Sequence, residues 1–165
     1  MKHKFQLDDI DWQILEELQK DGRITNVDLA KRIGISAPPC LRRVRTLERK
    51  GYIDGFHASL DQTRLGLGVT AFAMVGLTSQ AETDLQAFSE QINRLPQVIE
   101  CYMLSGEVDF ILKCTTTDLR SFQDFIINVL TAIPNVECVK TSLTIKCCKA
   151  NAGIDLNAAR QAKRN

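Results

Sequence analysis

Residues 25–47 read Thr-Asn-Val-Asp-Leu-Ala-Lys-Arg-Ile-Gly-Ile-Ser-Ala-Pro-Pro-Cys-Leu-Arg-Arg-Val-Arg-Thr-Leu. The stretch divides into a short helix, a glycine turn and a second helix. Thr25, with Asp28 three residues on, gives a capping-box pattern for a helix over 26–33. Leu29, Ala30 and Ile33 are its apolar positions, and Ala30 is small where two helices must cross closely. Gly34 follows, free to take the positive φ on which many helices stop. Ser36 then stands at a cap position, with Pro38 and Pro39 in the next helix's first turn, where a missing N–H costs little. Turned at about 100° per residue, that helix places Cys40, Val44 and Leu47 on one face, to be buried. Arg42, Arg45, Thr46 and Arg49 point the opposite way, with Arg43 on the flank. This is the layout of a helix-turn-helix, whose second helix enters the DNA major groove. Ser36 and Pro39 sit at the leading end, which faces base edges; the arginines suit phosphates or, bidentately, guanine. The competing interpretation is a solvated basic face on an ordinary three-helix bundle.

On the N-terminal side, Leu7, Ile10, Ile14 and Leu18 form one stripe of a helix that Asp8 caps and Asp21-Gly22 ends. Trp12 falls off that stripe, so it either packs on a partner chain or stays partly exposed in a monomer. On the C-terminal side, Gly51 stops the reading helix, and Tyr52 to Leu60 alternates apolar and polar residues like an extended strand. That strand is either a wing beside the DNA or a linker. His57 reads as a surface residue; with His3 as the other histidine, no metal cluster is apparent.

The remaining two-thirds switches between strand and helix patterns. Leu67–Thr78 is β-branched and apolar, and 81–95 has helical spacing at Leu85, Phe88 and Ile92. Val98–Leu104 and Val108–Thr115 form a hairpin about Ser105-Gly106-Glu107. Leu119–Ile133 is a helix, and Val136–Cys147 a last strand. The order β-α-β-β-α-β is the ferredoxin-like split βαβ. The chain is therefore read as α+β: an N-terminal winged helix-turn-helix followed by a ferredoxin-like βαββαβ domain. Such a sheet carries helices on one face only, and its first strand is apolar on both sides. That argues for burial of the open face against a second subunit.

At 165 residues the chain forms one domain or two small ones. Its net charge of +1 looks poor for a nucleic-acid binder until the chain is divided. Residues 1–57 hold 11 Lys/Arg against 9 Asp/Glu, residues 58–148 hold 6 against 10, and the tail from Lys149 holds 4 against 1. Basic charge thus sits at the two ends, and DNA repels the acidic middle, which must serve another task. No apolar run approaches the ~20 residues that span a membrane, and no export signal is recognised at Met1. A cytoplasmic location with reduced thiols follows for Cys40, Cys101, Cys114, Cys138, Cys147 and Cys148, which show no C-x-x-C spacing. Cys40 is read as a small core residue. No catalytic constellation appears: there is no nucleophile elbow, no phosphate-binding loop, no dinucleotide fingerprint and no cofactor motif. The hairpin turn has two interpretations. Ser105-Gly106 can present successive N–H groups to a carboxylate, and Asp109 can meet an ammonium, together suiting a free amino acid. Otherwise it is a plain hairpin.

Leu7-Asp8-x-x-Asp11-x-x-Ile14-Leu15-x-x-Leu18-Gln19-x-Asp21-Gly22-Arg23 resembles the opening of the leucine-responsive regulatory protein/AsnC family of transcription regulators. So does Leu29-Ala30-x-x-x-Gly34-x-Ser36-x-x-Pro39-Cys40-x-x-Arg43-Val44-x-x-Leu47-Glu48-x-x-Gly51-Tyr52-Ile53, and Ser105-Gly106-x-x-Asp109 matches the family's effector-loop pattern. The resemblance implies a DNA-binding domain over 1–52, a linker strand over 53–64, an effector and assembly domain over 65–149, and a basic tail over 150–165. It implies a homodimer, assembling to a tetramer or octamer, that binds double-stranded DNA and responds to an amino-acid effector. Ser36, Pro39, Arg42, Arg43 and Arg45 would contact DNA; Leu104, Ser105, Gly106 and Asp109 would line the effector pocket. The other functions considered are an architectural protein that wraps DNA without a small-molecule response, and a cysteine-based redox or metal sensor. The tail and Cys147-Cys148 fall outside the family pattern.

Overall fold

The computed structural model describes residues 6–150 and 153–163. The described residues form two compact units, those up to 59 with those from 149 onward, and residues 60–148.

The first unit begins with α1 (Asp9–Lys20), which starts on a complete capping box. The Asp8 carboxylate accepts from Asp11 N at 2.8 Å, and the Asp11 carboxylate accepts from Asp8 N at 3.2 Å. At α2 (Asn26–Arg32), the predicted box is half made. The Thr25 hydroxyl accepts from Asp28 N, but the Asp28 carboxylate takes the Thr25 hydroxyl proton instead of reaching back to the cap N–H. α3 (Ala37–Arg49) carries its prolines in the first turn, and Ser36 occupies the cap position without making a side-chain capping bond. Gly34 and Gly51 both have φ +73°, the left-handed conformation that ends α2 and α3. The three helices close on Ile14, Leu29, Ala30, Cys40 and Leu47, with Ile10 and Val44 packed against them. After α3, residues 53–60 have no regular secondary structure and pair with no strand among the described residues, so the strand expected there is not formed.

A fourth helix completes this unit, and the sequence reading has none there. α6 (Leu156–Ala162) is capped by Asp155, whose carboxylate accepts from Asn157 N and Ala158 N. Just before it, the Gln19 side chain grips the backbone of Ile154. Its Nε2 donates to Ile154 O and its Oε1 accepts from Ile154 N, each at 3.0 Å. Gly153 has φ +67°, and a Cβ there would lie 2.5 Å from Gln19 Cδ, so the grip requires glycine. Arg160 pairs with Asp9, and Lys163 lies 4.1 Å over the Tyr52 ring. Leu156 and Ala159 face Trp12, Leu15 and Leu18 across a cavity of about 410 Å³. Trp12 is 6% exposed. It is thus buried inside its own unit, and needs neither the partner chain nor the exposure read from its position off the stripe.

The second unit is the expected βαββαβ. Its elements are β1 (Val69–Leu77), α4 (Glu82–Ile92), β2 (Val98–Met103), β3 (Phe110–Thr116), α5 (Leu119–Phe125) and β4 (Val136–Leu143). The sheet is antiparallel, in the order β2-β3-β1-β4. α5 runs on as a π-helical turn over Ile126–Leu130. The last strand is shorter than expected, so Cys147 and Cys148 lie beyond it, exposed. Alternation sends Ala71, Ala73, Val75, Phe110, Leu112 and Cys114 to one face, under Phe88 and Ile92 of α4 and Phe122 and Phe125 of α5. Phe88 and Phe110 meet with ring centroids 4.6 Å apart. The opposite face carries Phe72, Met74, Ile111 and Tyr102, with Lys113 Nζ 2.7 Å from Glu100 Oε1.

The candidate DNA-reading face and effector loop

The reading helix is set by contacts along its length. Asn26 of α2 donates from Nδ2 to Ala37 O at 2.8 Å, tying the start of α3 to the preceding helix. Cys40 and Leu47 anchor the inner face at 0% exposure. Arg42, Arg45 and Arg49 are exposed on the outer face, as is Ser36 at the leading end, and Pro39 and Thr46 are half-buried beside them. Thr46 donates to Arg42 O at 2.9 Å and accepts from Arg49 at 3.2 Å, so the last arginine is held along the helix.

Arg43, half-buried on the flank of α3, is engaged within its own unit. One of its terminal nitrogens lies 2.7 Å from Asp8 Oδ2 and 2.8 Å from Asp11 Oδ1. Both carboxylates belong to the capping box of α1, and Asp11 is buried. Burial pushes the Asp8 carboxyl upward, but the Asp11 N–H and the Arg43 guanidinium outweigh it and hold the group below the usual carboxylate range. The bonds from Asp11 and then Asp8 raise Arg43 above the ordinary guanidinium value. Spacing alone put Arg43 on the flank of α3; the carboxylates that claim it lie more than thirty residues away in sequence.

In the second unit, the loop between β2 and β3 brings together Leu104, Ser105, Gly106 and Asp109. Leu104 N donates to Asp109 O at 2.8 Å, and Asp109 N to Val75 O at 2.9 Å. No residue from Leu104 to Asp109 has a left-handed backbone, so the alternating conformation of an anion nest is not formed. Leu104, Ser105 and Gly106 are exposed. Asp109 is buried, and its Oδ2 accepts from Leu77 N at 2.7 Å. That N–H points to the β3 side of β1, where the β1–β3 ladder ends at the Val75–Phe110 pair and leaves it without a strand partner. On the other edge of β1 the register with β4 shifts between Gly76 and Leu77, and a Cβ at Gly76 would lie 2.9 Å from Cys138 Sγ, so any larger residue there must displace that side chain. Asp109 therefore locks the end of β1, a role invisible in the loop motif, while its Oδ1 accepts from no described residue.

The thiols divide by environment. Burial, with a smaller contribution from neighbouring Cys101, pushes the Cys114 thiol up to about 11, and burial also raises Cys101 and Cys40. Cys138, Cys147 and Cys148 are exposed. Among the described residues no group of three or more His, Cys, Asp or Glu side chains is placed to hold a metal ion, and no helix is long and apolar enough to cross a membrane.

A capped helix-turn-helix carrying exposed arginines, in one chain with an antiparallel βαββαβ unit, defines a DNA-binding transcription regulator with a ligand-binding domain. Residues 7–54 match the winged helix-turn-helix DNA-binding family, and residues 70–154 match the Lrp/AsnC ligand binding domain. The chain is 54% identical over 143 residues to the leucine-responsive regulatory protein of Rhizobium meliloti, covering 87% of this chain and 92% of that one. It is 41% identical over 141 residues to the Bkd operon transcriptional regulator of Pseudomonas aeruginosa, covering 86% and 92%. Among solved structures, a transcriptional regulator of Neisseria meningitidis in complex with L-Met superposes with a TM-score of 0.87 at 33% identity, covering 93% of this chain and 99% of that one. An AsnC family regulator of Agrobacterium tumefaciens gives 0.84 at 30%, covering 92% and 99%. The chain belongs to the Lrp/AsnC family of transcription regulators.

Proposed function

We propose that the protein is a homodimeric regulator, assembling further to a tetramer or octamer, that reads double-stranded DNA with α3 and adjusts its assembly or DNA affinity to an amino acid held near the β2–β3 loop. The observation that carries the DNA part is the exposed face of Arg42, Arg45 and Arg49 on a helix whose opposite face is locked into the core. Ser36 and Pro39 at the leading end and Thr46 on the flank complete the reading surface, and Arg43 braces it. Two heads are needed because one carries little net positive charge, and a pseudo-palindromic site supplies two half-sites. The open apolar sheet face supports self-association, since it is a surface that water solvates poorly. Leu104, Ser105, Gly106 and the free Oδ1 of Asp109 form the proposed effector site. The relative bound to L-Met supports an amino acid as the ligand class. No catalytic step is part of this role, and it belongs in the cytoplasm with the DNA.

Fluorescence anisotropy with a duplex selected from a randomised library tests the DNA reading. Arg42→Ala combined with Arg45→Ala should weaken binding and reduce the slope of log K against log salt by about 0.9 for each phosphate that is no longer neutralised. Unchanged affinity would remove α3 from the interface. A thermal-shift screen of the twenty amino acids tests the effector, because a ligand of the native state raises its melting temperature by mass action.

A further inference from the structure

We infer that Arg43 is a positioning residue for sequence reading: clamped by Asp8 and Asp11, it fixes the angle at which α3 presents its leading end to base edges. The inference rests on the proposal that α3 reads DNA. The clamp joins the N-terminus of α1 to the middle of α3 through one guanidinium nitrogen that serves both carboxylates, at 2.7 and 2.8 Å. Neither carboxylate is free to drift. Asp8 and Asp11 hold each other's backbone N–H in the capping box, so the acceptors are fixed before Arg43 arrives. Asp11 has 6% of its side chain exposed, which makes its cationic partner costly to remove. The apolar packing between α1 and α3 tolerates small rotations of one helix on the other. A two-acceptor ion pair does not, because its geometry is directional.

This matters for specificity more than for attraction. Phosphate contacts by long, mobile arginines such as Arg42 and Arg45 survive a tilt of α3, whereas contacts from Ser36 and Pro39 to base edges depend on placement within a fraction of an ångström. A clamp that sets the tilt should control the preference for the right sequence and leave the general affinity for duplex nearly alone. A direct phosphate contact from Arg43 would do the reverse.

The two roles predict opposite signs for Asp11→Asn. If Arg43 positions the helix, this variant loses the clamp and its preference for the selected duplex over a scrambled duplex falls about tenfold, although the protein has become more positive. If Arg43 touches phosphate, releasing it from Asp11 tightens both duplexes or changes neither. Arg43→Met should show the same tenfold loss of preference, with the salt slope on scrambled DNA unchanged. Asp8→Asn retains a capping side chain and so protects the fold; it should lose about threefold. Binding-competent protein is counted by stoichiometric titration, so partial unfolding does not pass for lost selectivity. A salt slope reduced by about 0.9 or more in Arg43→Met, or undiminished preference in Asp11→Asn and Asp8→Asn, overturns the inference. Arg42→Met is the control for the parent reading. If it leaves the salt slope intact, the assignment of α3 to DNA fails, independently of Arg43.

Discussion

Asp109 carries two assignments, and two substitutions separate them. Its Oδ2 accepts the Leu77 N–H at 2.7 Å, and Leu77 is itself buried at 5% exposure. Asp109→Ala strands that N–H in the interior. An unsatisfied buried donor costs about 1–3 kcal/mol, and the bond removed here has a charged acceptor, which places the expected loss near 2 kcal/mol. For a chain of this size each kcal/mol lowers the melting temperature by roughly 2–4 °C, so a drop of about 4–8 °C is expected. Asp109→Asn keeps a carbonyl acceptor at the same place and should lose about 1 kcal/mol or less. The ammonium of an amino acid, however, needs the negative charge, which both variants lack. Thermal unfolding followed by circular dichroism gives the first quantity, and the amino-acid-dependent shift in the same experiment gives the second. Asp109→Asn should be nearly as stable as the parent and unresponsive. An Asp109→Ala protein melting within about 1 °C of the parent would refute the anchoring argument. A full amino-acid response in Asp109→Asn would refute the ammonium contact.

Ending the chain after Lys149 should expose Trp12, the chain's only tryptophan, and shift its emission to the red; Gln19→Ala should do so in part, and an unmoved spectrum would mean that α6 does not cover it. In native protein Cys147 and Cys148 should react rapidly with a thiol reagent while Cys40 and Cys114 stay protected until denaturant is added, which a timed absorbance titration reads. Because the folded Cys114 thiol is raised to about 11, its contribution to stability is complete below the ordinary thiol value and is lost as pH rises through the folded one; Cys114→Ala should flatten the alkaline limb of a denaturation series. Asp8 has the opposite sign. Its folded value is lowered, so its contribution is present above the ordinary carboxylate range and is lost as pH falls through the folded value; Asp8→Asn should flatten the acid limb.

The architecture was legible because its signals are periodic. The helix-turn-helix announced itself through Gly34, Gly51 and the Pro38-Pro39 turn, and the βαββαβ order through alternation on the strands and 3.6-residue spacing on the helices. What escaped was pairwise and distant. Arg43 lay on the right helix at the right angle, but the sequence does not say that Asp8 and Asp11 will claim it. Asp109 stood in a recognisable motif, yet its bond to Leu77 exists only because the β1–β3 ladder stops at Phe110 and leaves that N–H unpaired. α6 did leave a trace: Asp155 followed by Leu-Asn-Ala-Ala-Arg-Gln-Ala is a cap before strong helix formers. The sequence showed the tail only as a basic end outside the family pattern, whereas Arg160 and Lys163 are engaged by Asp9 and Tyr52.

The course of the chain also bears on the order in which the molecule is made. The first unit is discontinuous: residues 60–148 are inserted between its two pieces. Chains emerge from the ribosome N-terminus first, so α1 to α3 are synthesised long before α6 exists. Until Gly153–Lys163 emerges, Trp12, Leu15 and Tyr52 lack the cover that this segment gives them. The nascent head therefore stays uncovered while residues 60–148 are made. A free-standing head for DNA studies should accordingly be made by joining residues 153–163 to residues 1–59 through a short flexible linker, since a fragment cut at Ser59 leaves an apolar groove open to aggregation.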